Sequence, residues 1–212
     1  MTPIHGIFRD KRGTEEIVFE TTGSSLTTTI RGVLFRGTDF DGLAPEVASD
    51  QFDYCHGDLC GCSLTLDIPS RLTAPDGLRH ASIRAEIVLG LQGHRGGLDD
   101  ETVQTSLTQP EFTVVSRGDS GWFEGELLSL AAQLPSGFAL EACITCGLSD
   151  YSPYGHGCFG CMACFRDVAD DYRRVNSKAG IFAIWDRLTD YVQETHYCHH
   201  YEPRPKGRGY RG

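Results

Sequence analysis

The cysteines constrain this chain more than any other feature. Cys143 and Cys146 form one Cys-x2-Cys pair and Cys158 and Cys161 form a second, eleven residues further on. Such a turn points two thiolates at one locus, and two of them complete a tetrahedral zinc site. Cys161 and Cys164 make an overlapping pair, and Cys198 follows. A second ligand set is therefore open: Cys143, Cys146, Cys164 and Cys198. Either set predicts about one zinc ion per chain. The triplet Cys158, Cys161, Cys164 also raises an iron–sulfur cluster, but its next cysteine is Cys198, whereas ferredoxin-type runs supply the fourth thiolate soon after. Zinc is the expected cofactor and the cluster the runner-up.

The total of nine cysteines is odd, and Met1–Arg12 carries no apolar leader core. A disulfide-stapled secreted scaffold is expected to show an even count and a signal peptide. A reducing, cytoplasmic setting with clustered thiols on metal is the expectation instead. Cys55, Cys60 and Cys62 form a third group beside His56. They are open to three readings: a second metal site, an approach to Cys143 and Cys146 if those strands pair, or small residues on an inward strand face. His196, His199 and His200 flank Cys198 as further candidate ligands.

With 212 residues the chain suits a single core, and its hydrophobic and charged fractions are globular. No apolar run reaches the length of a membrane span. The net charge is −10. Residues 202–212 hold Glu202 against Arg204, Lys206, Arg208 and Arg211, a net +3 that leaves −13 on the body. An acidic body repels phosphate, so duplex nucleic acid is not an expected partner, whereas a protein with a basic surface is.

Alternating apolar residues predict strands over Glu16–Glu20, Leu26–Phe35, Ser63–Ile68 (stopped by Pro69), Ala81–Leu91, Thr102–Leu107, Glu111–Arg117 and Phe138–Ile144. Helical spacing predicts helices over Trp122–Leu134, Phe165–Val175 and Ala179–Gln193. The expected fold is α+β: an antiparallel, sandwich-like β-rich body with one mid-chain helix and two C-terminal helices tied down by the cysteine metal site. Residues 1–201 form one domain, β-rich over 14–146 and cysteine-rich and helical over 147–201. Residues 202–212 are expected to be a flexible basic tail, dispensable for folding.

The run from Cys143 through Ser149-Asp150-Tyr151-Ser152-Pro153-Tyr154-Gly155, with Cys164-Phe165-Arg166, Gln193-Glu194-Thr195 and Gly209-Tyr210-Arg211-Gly212, resembles an uncharacterised, largely actinobacterial family of unknown function. The stretch His56-Gly57-Asp58-Leu59-Cys60 is similar to it too. The resemblance spans about residues 55–212 and implies no known activity. It implies that Cys143, Cys146, Cys164 and Cys198 are the ligand set, with Cys158 and Cys161 as spare thiols or ligands of a second ion.

No phosphate-binding loop, dinucleotide fingerprint, zinc-protease helix or nucleophile elbow is written in the chain. A catalytic reading would make a cysteine the nucleophile, His156 its base and Asp150 the orienting acid. The function expected is that of a non-enzymatic, zinc-stabilised protein binding a macromolecular partner. The alternative is a metal-dependent enzyme or a thiol or iron–sulfur redox protein.

Overall fold

The structure is a computed structural model that describes residues 3–152, 158–160 and 162–211. The elements in order are β1 (Ile4–Asp10), β2 (Gly13–Thr21), β3 (Leu26–Ile30), β4 (Val33–Gly37), β5 (Ala44–Pro45), β6 (Asp53–Cys55), β7 (Asp58–Cys60), β8 (Cys62–Ala74), β9 (Gly77–Leu89), β10 (Glu101–Gln109) and β11 (Phe112–Val115). Then follow α1 (Phe123–Ala132), β12 (Ala139–Glu141), β13 (Ser149–Tyr151), β14 (Met162–Cys164), α2 (Ala169–Tyr172), α3 (Lys178–Phe182) and β15 (Asp190–Val192). The class is β-rich α+β, and every strand pairing among the described residues is antiparallel. No helix among the described residues is long and apolar enough to cross a membrane.

One ten-stranded sheet runs in the order β11-β10-β9-β8-β1-β2-β3-β4-β5, with β12 added on β8. Its long central strands follow the period-two rule: Leu64, Leu66 and Ile68 of β8 and Ile83, Ala85, Ile87 and Leu89 of β9 are buried. The helix α1 lies on β10, where Thr105 Oγ1 donates to the Glu126 carbonyl. An aromatic knot joins that helix to the opposite half of the sheet. Phe40 meets Phe19 at 5.4 Å and Phe159 at 4.6 Å between ring centroids, and Phe159 meets Phe123 of α1 at 5.0 Å. Such pairs contribute roughly 0.5–1.5 kcal/mol each beyond area burial.

Three expectations change. Leu26–Phe35 is not one strand but the hairpin β3–β4. Arg31 and Gly32 both take positive φ (48° and 78°), the geometry of a two-residue hairpin turn, and Glu15 accepts the Arg31 N–H. Pro69 does not stop β8. The pairing of β8 with β1 ends at Asp67 and with β12 begins at Arg71, so Pro69 sits where no ladder partner needs an N–H.

The third correction concerns the C-terminal helices. Phe165–Val175 and Ala179–Gln193 are not continuous helices. The Phe165 N–H is given to the Leu148 carbonyl, so regular α-helix begins only at Ala169. The Ser177 hydroxyl caps α3 at the Gly180 N–H, and Thr189-Asp190-Tyr191-Val192, rich in strand formers, returns to pair with β14. The apolar stripe is still used. Phe165 and Tyr172 stack at 4.9 Å in a second small core with Val175 and Ile181.

Candidate metal centre

Cys143 and Cys146 leave β12 on a single 3-10 turn, Cys143–Thr145. The Thr145 hydroxyl donates back to the Leu140 carbonyl at 2.6 Å, and Ser149 Oγ donates to the Cys143 carbonyl. The turn is stitched to the chain that approaches Cys198. The Cys143 N–H is given to the His196 carbonyl (2.7 Å) and the Ile144 N–H to the Glu194 carbonyl (2.9 Å). Cys164 ends β14, held between Ser149 of β13 and Asp190 of β15.

The structure brings Cys143, Cys146, Cys164 and Cys198 into one electrostatic neighbourhood. Burial pushes the Cys143 thiol well above its ordinary value, and Cys146, Cys164 and Cys198 add to the rise. Burial likewise raises Cys146, opposed by backbone N–H groups of Glu202 and Leu148, with the Leu148 nitrogen 3.4 Å from Sγ. Burial raises Cys164 too, opposed by the Arg166 backbone N–H and by its guanidinium, 3.8 Å from Sγ. Cys146 thus receives the N–H of the second residue onward, and Cys164 the guanidinium of Arg166. As the side chains stand, no group of three or more His, Cys, Asp or Glu among the described residues is gathered closely enough to hold an ion.

The other sequence candidates lie elsewhere. Cys158 is buried beside Phe159, its N–H donated to Asp41 Oδ1 at 2.6 Å. Burial and then Asp41, Glu101, Glu194 and Asp39 push its thiol up. Cys161, like His156, lies outside the described residues. Cys60 and Cys62 are raised mainly by burial, Cys62 to about 12, and Cys60 also by Cys55. Cys55 donates its S–H to the Gly96 carbonyl at 3.3 Å, and His56 Nε2 binds the same carbonyl. This group does not approach Cys143. Cys62 begins β8, whereas β12 pairs with Arg71–Thr73 near the far end of that strand. Burial lowers the His196 pKa, and the rings of His199 and His200 lie 4.1 Å apart.

Asp150 does not serve as an orienting acid for an imidazole among the described residues. Its fully buried carboxylate accepts from Tyr172 Oη (3.0 Å), the Tyr210 N–H (2.9 Å) and Arg211 Nε (2.9 Å). The residues expected to form a free tail are therefore placed against the cysteine region. Arg204 N donates to the Thr145 carbonyl, its guanidinium reaches the Ser149 carbonyl, and Gly147 N donates to the Glu202 carbonyl. Arg211 of this segment meets the buried Asp150 anion, while Arg208 pairs with Glu202 of the segment itself.

Sequence reasoning missed the Glu194–Tyr151 pair. Tyr151 Oη donates to Glu194 Oε1 (2.9 Å) and the Gly160 N–H to Oε2 (2.6 Å). Burial holds the Glu194 pKa up at about 8. Its signal was an acid just past the expected helix Ala179–Gln193, where both neighbours of Glu194 prove to be buried as well.

No curated protein and no solved structure matches the chain. A family model covers residues 3–149, which takes in the ten-stranded sheet, α1 and the Cys143–Cys146 turn. By that match the chain belongs to DUF6304, a family of unknown function.

Proposed function

We propose that this is a non-enzymatic protein whose C-terminal part is fastened by one zinc ion on Cys143, Cys146, Cys164 and Cys198, and that it acts by binding a macromolecular partner. The observation that carries the metal reading is the Leu148 backbone N–H on Cys146 Sγ at 3.4 Å, with the Arg166 guanidinium 3.8 Å from Cys164 Sγ beside it. An N–H aimed at sulfur favours thiolate over thiol, and outer hydrogen bonds of this kind orient and tune metal ligands. Cys143, Cys146 and Cys164 are buried thiols raised first by burial and further by their sulfur neighbours, the half-buried Cys198 among them, and a divalent cation there is favoured because its charge inverts that mutual repulsion. The donor set is all sulfur, which suits zinc in a reducing, cytoplasmic compartment.

Such a site saturates its metal with protein ligands and leaves no open position for substrate, which favours a structural role. The body's −13 supports a partner with a basic surface rather than nucleic acid.

Elemental analysis of protein purified under reducing conditions tests the reading. About one zinc per chain, and a tetrahedral thiolate spectrum on cobalt replacement, are expected. Protein free of metal, or metal retained in full by Cys146→Ser, overturns it. A brown protein rich in iron establishes the cluster instead.

A further inference from the structure

The C-terminal segment lays four cations against the body, and two of them meet no carboxylate. Arg211 pairs with Asp150 and Glu124, and Arg208 with Glu202. Arg204 and Lys206 make no ion pair among the described residues. The Arg204 guanidinium turns inward, onto the Arg208 carbonyl at 2.7 Å and the Ser149 carbonyl. Lys206 is exposed.

These two residues line one groove, of about 350 Å³. It runs between α1 and the C-terminal segment, over the Cys143–Thr145 turn. Leu128, Phe138, Ile144 and Tyr201 give it apolar walls, with Pro203 and Pro205 along the outer side. Leu128 is 41% exposed, whereas Leu127 and Leu130 of the same helix are buried. No Asp, Glu or His is among the lining residues, in a chain whose acids outnumber its bases by 29 to 19. The outer wall is fixed in place. The Arg204 N–H is given to the Thr145 carbonyl at 2.9 Å and the Gly147 N–H to the Glu202 carbonyl at 2.7 Å.

We infer that this groove is a binding site for a small amphipathic carboxylate. The apolar body, a ring or a short chain, lies against Leu128, Phe138 and Tyr201, and the carboxylate meets the Lys206 ammonium. The volume is at the low end for small-molecule sites and suits a ligand of about ten heavy atoms. Lys206 carries its charge on a flexible four-carbon stem, which lets it close on a ligand at the rim. Arg204 adds positive potential from inside the wall without touching the ligand. On an acidic body, an acid-free groove with two unanswered cations is a place where the field favours an anion. The apolar walls select against a bare inorganic anion, which would leave them wet. The site requires neither the zinc ion nor a macromolecular partner, since none of its lining residues is a cysteine.

The probe is 3-phenylpropionate, titrated at low salt into the full-length, metal-replete, 15N-labelled protein. Saturable shifts are expected at the Leu128, Ile144, Thr145 and Tyr201 amides, with an affinity on the order of millimolar for so few atoms. 3-Phenylpropionamide, which lacks the charge, is expected to bind about threefold more weakly, as is the acid to Lys206→Gln, because an exposed charge pair contributes about 0.2–1 kcal/mol. Acetate, which lacks the body, is expected to give no saturable shift. Leu128→Ser removes one apolar wall at an exposed position and is expected to lose about fivefold. Shifts that are absent, or that fall outside the groove, overturn the proposal. So does the amide binding as tightly as the acid, or unchanged affinity in both folded variants. Lys206→Gln alters only an exposed side chain, so the test stands even if Leu128→Ser does not fold.

Discussion

Arg211 Nε lies 2.9 Å from Asp150 Oδ1, and the Asp150 side chain is entirely buried. The guanidinium also sits 5.1 Å from the Tyr151 ring centroid and 3.3 Å from Glu124 of α1. One residue near the C-terminus thereby joins β13 to the helix on the main sheet. Gly209 makes the approach possible, because a Cβ there would run into the Asp150 carboxylate and the Tyr172 hydroxyl. Removing Arg211 leaves a buried carboxylate without its countercharge, which typically costs about 3–5 kcal/mol. Arg211→Ala is therefore expected to lower the melting temperature by several degrees, and a chain ending at Tyr201 to lose more. Melting curves of the two, unchanged from the full chain, would show that residues 202–211 contribute nothing to folding.

Glu194 makes stability depend on pH in a defined direction. Its folded pKa is raised by burial to about 8, against an ordinary value of 4.5. The fold therefore keeps a proton that the unfolded chain gives up. The stabilisation is full below pH 4.5 and is lost as pH rises through about 8, with a slope of about 1.4 kcal/mol per pH unit in between. Glu194→Gln retains an oxygen for the Tyr151 hydroxyl or the Gly160 N–H but cannot ionise. Urea unfolding between pH 5 and about 8 is expected to show a falling stability for the native chain and a flatter profile for the variant. Parallel profiles would remove Glu194 as the source.

The β-rich body was legible because its strands bury one face. Ile83, Ala85, Ile87 and Leu89 announce β9 by alternation alone. The turn at Arg31-Gly32 was not, because Arg31 falls on the outward side of the alternation between Ile30 and Val33 and reads as one more strand residue, which leaves only Gly32 to mark the reversal. The C-terminal region was misread for a different reason. Phe165, Tyr172, Val175 and Ile181 have helical spacing and are buried, but backbone pairing of Phe165 with Leu148 and of Asp190–Val192 with β14 overrides local propensity. Among the candidate ligands, spacing identified the Cys143–Cys146 turn. It did not separate Cys158 from Cys164, since that depends on Phe159 being drawn into the Phe40–Phe123 knot.

Gly160 is expected to be intolerant of a side chain. It has φ +124°, and a Cβ would strike the Thr38 carbonyl oxygen. Its N–H also serves Glu194. Gly77, in the turn between β8 and β9, has the same φ with open space around it. Gly77→Ala carries only the backbone strain, about 1–3 kcal/mol. Gly160→Ala carries that strain and a backbone collision that the packed aromatic knot resists. Chemical denaturation should show Gly160→Ala as the less stable of the two, and the reverse order would refute the assigned packing around Phe159.

The two ligand sets written in the sequence make opposite demands on two cysteines. Cys164 lies 3.8 Å from the Arg166 guanidinium and shares a neighbourhood with Cys146 and Cys198, whereas Cys158 faces Asp41, Glu101 and Glu194. Carboxylates around a buried thiol raise its pKa and oppose the thiolate that a metal needs. Zinc per chain is therefore expected to collapse in Cys143→Ser, Cys146→Ser, Cys164→Ser and Cys198→Ser, and to persist in Cys158→Ala and Cys161→Ser. Cys158→Ala still costs stability, about 1 kcal/mol for a small void in the core, so metal content and melting temperature separate the two roles. Cys60→Ala serves as the distant control. Stripping zinc with a chelator should lower the melting temperature of the native chain and leave that of Cys164→Ser almost unmoved, because that variant has already lost the clamp. If Cys158→Ala sheds the metal while Cys164→Ser keeps it, the ion sits on the two Cys-x2-Cys turns and the set assigned above is wrong.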